Sequence, residues 1–173
     1  MLTVTVKKDF IVKHILFFLI LALGFGTVSV ARGIKTETIE TRIYYVDAEM
    51  MRLVPVRTSI PKMSAKRSAQ YVLDKMIEGY DANPKIRRVI PKDEHCLTAS
   101  VKDGIAYVNI SGEMLKNHPE GRDIELLTVY SIVNSLTEID GIINVRFTID
   151  GRVSKDFMGY IDMRETFIPD YFV

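Results

Sequence analysis

The stretch NHPEGRDIELL, residues 117 to 127, gathers His118, Glu120, Asp123 and Glu125 within eight positions. An imidazole beside carboxylates is the raw material of acid–base catalysis and of metal binding. The segment also has a plain structural explanation. Pro119 and Gly121 break the SGEMLK run before it. Acids such as Asp123 and Glu125, in the first turn of the helix that follows, complement its dipole. A second chemical candidate is His95 beside Cys96, a thiolate–imidazole pair in the making. Neighbours on a strand point to opposite faces, so the two diverge if the segment is extended. Cys96 is the sole cysteine, which excludes an intramolecular disulfide and leaves a semi-buried thiol as the expected state. The three histidines His14, His95 and His118 are too few for a rich metal cluster. No catalytic residue, metal ligand or cofactor is expected.

The second half of the stretch carries more. A helix is expected over about residues 123 to 139, and at 100° per residue Leu126, Val129, Ile132, Val133, Leu136 and Ile139 share a broad apolar sector. Thr128, Ser131, Asn134, Ser135 and Glu138 fall on the other side. Thr128, Ser131 and Ser135 are small and spaced i, i+3, i+7, which permits close approach by another element. This row is either a solvated helix face or a packing surface, against the first helix, a neighbouring copy or a partner protein. These five residues are the candidate interaction face.

The elements that position this helix are legible from periodicity. Residues 43–56, IYYVDAEMMRLVPV, read as two short strands around Asp47-Ala48-Glu49, with Pro55 confining the second to a sheet edge or ending it early. Ala69, Val72, Leu73, Met76 and Ile77 make one stripe of a first helix, with Ser64 as N-cap and Gly79 near its stop. Residues 81–95 form a loop. LTASVKDGIAYVNI is a hairpin whose Asp103-Gly104 supplies a type I′ turn. INVRFTID places Ile143, Val145, Phe147 and Ile149 on one face of a strand, and Asp150-Gly151 turns into a short edge strand. The order ββ-α-ββ-α-β(β) predicts an α+β fold, a mainly antiparallel sheet with two helices packed on one face.

Residues 15–31, ILFFLILALGFGTVSVA, carry no charge and would span roughly 26 Å as a helix, just short of the hydrocarbon layer. The run is apolar on all sides, which argues for membrane rather than core. Lys7, Lys8 and Lys13 precede it and hold residues 1–14 in the cytoplasm. The run is a transmembrane anchor, or a signal peptide cleaved after Ser29-Val30-Ala31. A single-pass membrane protein with an extracytoplasmic C-terminal domain is therefore expected, with a secreted form after Ala31 as the alternative. Residues 32–42 read as a polar tether. Beyond residue 31 the chain holds 20 basic and 21 acidic side chains, so no basic face for nucleic acid is implied. With 47% hydrophobic residues, the body can build a core without disulfide or metal.

YYVDAEMMRLVPVRTSIP, SVKDGIAYVNIS and LLTVYSIVNSLTEIDGIINVRFTIDG, in this order and at these separations, resemble the GerM domain. The resemblance runs from about Ile43 to about Phe167, within a domain bounded at 43–173. It implies a non-enzymatic domain of membrane-tethered or secreted bacterial proteins, associated with sporulation and spore germination and also found in envelope lipoproteins. It further implies a fold similar to the ring-building motif. The chain departs from lipoprotein members in having no cysteine directly after its apolar run, and it holds one such domain.

Together these readings give an interaction module that binds envelope proteins or itself, through sheet edges and the polar face of the second helix. The alternative is a domain for cell-wall glycan or a small molecule, with a Tyr-lined pocket between the sheet and loop 81–95. An envelope hydrolase using Cys96 or the His118 loop ranks last.

Overall fold

Strand β1, Thr38–Asp47, is the axis of the first sheet. It pairs antiparallel along its whole length with β2, Arg52–Pro61, and β3, Ile86–Arg87, adds to its other side at Val46 and Asp47. The computed structural model describes residues 37–49, 51–92 and 96–173, within the unit formed by residues 36–173. The n-region, the apolar run 15–31 and the start of the tether lie outside the described residues. Among the described residues no helix is long and apolar enough to cross a membrane.

The tether is shorter than expected, because residues 38–42 already belong to β1. Their TIETR pattern alternates as a strand does: Ile39 and Thr41 turn toward the body while Glu40 and Arg42 stay outside. Ile43 to Val46 are all buried, since β1 meets helices on both of its faces. β2 runs on through Pro55 to Pro61, at the sheet edge that a strand proline requires.

Helix α1, Ala65–Glu78, buries the expected stripe Ala69, Val72, Leu73, Met76 and Ile77. Ser64 holds the N-cap position without a side-chain capping bond, and Gly79 ends the helix at φ 83°. β4, Leu97–Lys102, and β5, Ile105–Ile110, form the expected hairpin. Its turn has φ 50° at Asp103 and 77° at Gly104, the pair of positive values that a type I′ turn demands.

After β5 the chain makes α2, Gly112–Asn117, and α3, Arg122–Thr137, before β6, Asn144–Ile149. β6 pairs with β5 in parallel. The expected single, mainly antiparallel sheet with two helices on one face is therefore corrected in four respects. Among the described residues there are two three-stranded sheets, β2-β1-β3 and β4-β5-β6; the second contains a parallel pair; α2 is an additional helix; and β3 lies within the expected loop 81–95. The reason is the connection from Ser111 to Ile143, long enough to return its strand parallel. Asp150 and Gly151 turn as expected, at φ 48° and 74°, but the chain returns as one isolated bridge between Ile149 and Arg152.

α3 occupies the centre. It packs on β1 and β2 of the first sheet, on β6 of the second and on α1. The C-terminal stretch lays Phe157, Met163 and Phe167 into the core, and Phe167 exchanges backbone hydrogen bonds of 2.8 and 2.9 Å with Val145.

Candidate functional site

The small polar row of α3 faces inward. Thr128, Ser131, Asn134 and Ser135 are all at most 1% exposed, so they form neither a solvated face nor a surface open to a partner. Each is spent inside the domain. Ser131 Oγ donates to the Thr128 carbonyl at 2.8 Å and Ser135 Oγ to the Ser131 carbonyl at 2.6 Å, which satisfies buried hydroxyls within the helix. Ser135 Oγ also accepts the Tyr44 amide at 2.8 Å. Asn134 grips the C-terminal segment, accepting the Asp170 amide at 3.0 Å and donating to its carbonyl at 2.7 Å. One signal in the sequence could have shown this: LLTVYSIVNSLT, residues 126–137, contains no charged residue on either face.

Glu138, the C-cap of α3, alone among the five reaches an accessible groove. Its Oε2 accepts from Arg42 Nε at 2.8 Å and its Oε1 from the Tyr44 hydroxyl at 3.0 Å. Burial first, and then the bond to Glu138, pushes the Tyr44 phenol up to about 12. The same carboxylate raises the Arg42 guanidinium through its hydrogen bond. Arg42 and Arg57 are directly opposite across β1 and β2. Together with Glu40 and Glu138 they line an open groove of about 330 Å³.

The loop that suggested chemistry separates into two kinds of residue. Glu120 and Asp123 are exposed. His118 is buried, its Nε2 2.8 Å from Thr128 Oγ1 and its ring edge-on to Phe157 at 5.2 Å. Burial lowers its pKa from 6.5, and the Pro119 carbonyl offsets this in part without a well-aligned bond to Nδ1. Glu125, expected only to complement the helix dipole, is 1% exposed and reaches across to the C-terminal stretch. Its Oε1 accepts the amides of Ile161 at 2.7 Å and Tyr160 at 3.3 Å. Both residues fasten the segment around 157–161 to the α2–α3 junction.

Cys96 is fully buried, with Sγ 3.8 Å from the Pro91 carbonyl, whereas a reactive thiol needs access. His95 lies outside the described residues. Among the described residues no group of three His, Cys, Asp or Glu side chains could hold a metal ion. A cavity lies between β1, the end of α1 and residues 86–90, where Tyr44, Tyr45 and Tyr80 line it, but it measures about 20 Å³. That is room for about one water. A wider groove of about 490 Å³ runs beside α1 and β4, along Gln70, Asp74, Ile77 and Thr98.

These features define a small α+β module in which the central helix's polar residues act as internal clamps to β1, to the α2–α3 junction and to the C-terminal stretch. The chain belongs to the Germane family, described as sporulation and spore germination, which residues 42–155 match. No curated protein matches it in sequence. Among solved structures it is similar to the tandem GerMN domains of the sporulation protein GerM from Bacillus subtilis, with a TM-score of 0.55 and 23% identity. That match covers 72% of this chain and 43% of the tandem, so the chain spans less than half of that structure. The first GerMN domain of the same protein gives 0.52 and 22%, covering 71% of this chain and 91% of that one. A lipoprotein candidate from Clostridium perfringens gives 0.55 and 20%, covering 81% and 93%. At these identities the likeness is one of fold.

Proposed function

We propose that this chain is a non-catalytic extracytoplasmic interaction module of the bacterial envelope, serving sporulation or germination. Residues 15–31 hold it at the membrane; a secreted form released after Ala31 is the alternative. It works by contact with envelope proteins or with copies of itself. The observation that carries this reading is the fate of the polar residues. His118, Glu125, Thr128, Asn134 and Ser135 fasten the domain's own elements together, and membership of a family described as sporulation and spore germination supports the process. The sequence points to sheet edges and the polar face of α3 as contact surfaces. With that face buried, contact falls to sheet edges and to the groove beside Glu138. The test is crosslinking and co-purification of the full-length chain from the producer's envelope. Reproducible envelope partners or self-crosslinked species are expected. A strictly monomeric chain that retains no partner overturns the reading. An alkaline phosphatase fusion at the C-terminus, active only outside the cytoplasm, checks the topology.

The groove of about 490 Å³ beside α1 and β4 favours a second reading, a binding domain for wall glycan or a small molecule. A ligand that binds only the folded state raises its melting temperature, so thermal shifts with wall fragments separate the two.

A further inference from the structure

Every strand of a sheet edge carries backbone groups that want a partner, and among the described residues β1 leaves such a run open at its start. In β1 the amides of odd-numbered residues serve the ladder to β2, a pattern extended by the bond from Lys62 N–H to the Glu37 carbonyl. Even-numbered residues therefore point their backbone the other way. Tyr44 confirms it: its amide goes to Ser135 Oγ, and next to it Val46 meets β3. Thr38, Glu40 and Arg42 make no such bond among the described residues. Other edges are interrupted, and on β2 only Arg57 and Ser59 lie open, between two prolines. On β2, Pro55 and Pro61 lack an N–H, and the Leu53 amide is taken by the Val173 carbonyl. On β4, Gln70 holds the Ala99 amide and the Leu97 carbonyl. On β6, Phe167 pairs with Val145.

We infer that the Thr38–Arg42 edge of β1 pairs antiparallel with the same edge of a second copy, with Glu40 facing Arg42 of the other chain. This rests on the interaction-module reading and names its partner and contact. Backbone direction allows only even residues opposite even ones in such a pairing. Glu40 opposite its own copy would place like charges face to face, which is unfavourable. Glu40 opposite Arg42 instead gives complementary charges on both sides of a two-fold axis, as an isologous contact requires. The axis then passes beside Thr41, so two threonines meet, a favoured cross-strand pair. Thr41 Oγ1 is buried and makes no hydrogen bond among the described residues, and its symmetry mate supplies one. Pairing stops at Tyr44, where Ser135 already occupies the amide.

The test is sedimentation of the full-length chain in detergent micelles. Wild type is expected to form a dimer. Glu40→Lys sets lysine against arginine, and Arg42→Glu sets glutamate against glutamate. Each variant alone should dimerise on the order of tenfold more weakly. An equimolar mixture of the two should pair again, because each reversed charge meets its complement. Thr41→Cys in a Cys96→Ala background should crosslink under oxidation, since facing residues of this kind have Cα atoms about 4.5 Å apart. Glu40→Cys should not. A monomeric wild type, equal association of all variants, or no recovery on mixing overturns the inference. If the monomeric chain still retains envelope partners, the interaction reading survives it; if it retains none, both fall.

Discussion

Ser135 and Tyr44, 91 positions apart, are joined by a 2.8 Å hydrogen bond from the Tyr44 amide to the Ser135 hydroxyl. The bond ties the central helix to the edge of β1 just where β3 has not yet begun to pair. A hydroxyl that looked available to a partner is thus the partner of a buried backbone group.

Ser135→Ala leaves the Tyr44 amide without an acceptor in a buried site, at a cost of about 1–3 kcal/mol. Ser131→Ala removes a hydroxyl that donates only to a helical carbonyl, and should cost under about 1 kcal/mol. Urea unfolding of residues 36–173 distinguishes them. Equal losses in the two variants would show that the bond across to β1 contributes nothing special.

Asn134 holds the C-terminal segment by both hydrogen bonds to Asp170, and the Tyr171 ring lies 5.7 Å from that of Tyr44. Asn134→Ala should detach the tail while the body stays folded. Hydrogen exchange at residues 170–173 should rise sharply in the variant, and exchange in β5 should not change.

The parts legible in the sequence are those decided by local chemistry. Asp103-Gly104 fixes its hairpin, and the spacing from Ala69 to Ile77 fixes the buried side of α1. The direction of β6 was not legible, because pairing with β5 depends on the path of the intervening chain rather than on NVRFTI itself. β1 extends further than its sequence suggests although Ile39, Thr41 and Ile43 alternate, since charged neighbours disguise the pattern as tether. The polar row of α3 misled for a different reason. Burial of Ser and Thr is inexpensive when a carbonyl one turn back accepts the proton, so polarity alone does not mark a helix face as exposed.

His118 gives the domain a dependence on pH. Burial lowers its folded-state pKa below 6.5, so the unfolded chain takes up the proton first. Its contribution is complete above about pH 6.5 and is lost as pH falls toward the folded value. Unfolding measured from pH 7.5 to 5 should show a declining stability that is flatter in His118→Gln. Parallel slopes for the two proteins would remove the residue as the cause.

Gln70 bears on a hazard that every exposed strand edge carries. Its side-chain oxygen accepts the Ala99 amide at 2.8 Å, and its nitrogen donates to the Leu97 carbonyl at 3.2 Å and to Asp74 at 2.8 Å. One side chain on α1 therefore occupies adjacent backbone groups on the outer edge of β4. Gln70→Ala frees both groups at once on an outer strand, which is the template for edge-to-edge association. Stability should fall by about 1–2 kcal/mol, the value of the lost bonds. Light scattering on warming should rise earlier than this loss explains. Gln70→Glu keeps an acceptor for Ala99 but places a charge at the edge, so it should lose similar stability while staying soluble. If both variants scatter alike, the aggregation follows from unfolding and not from the opened edge.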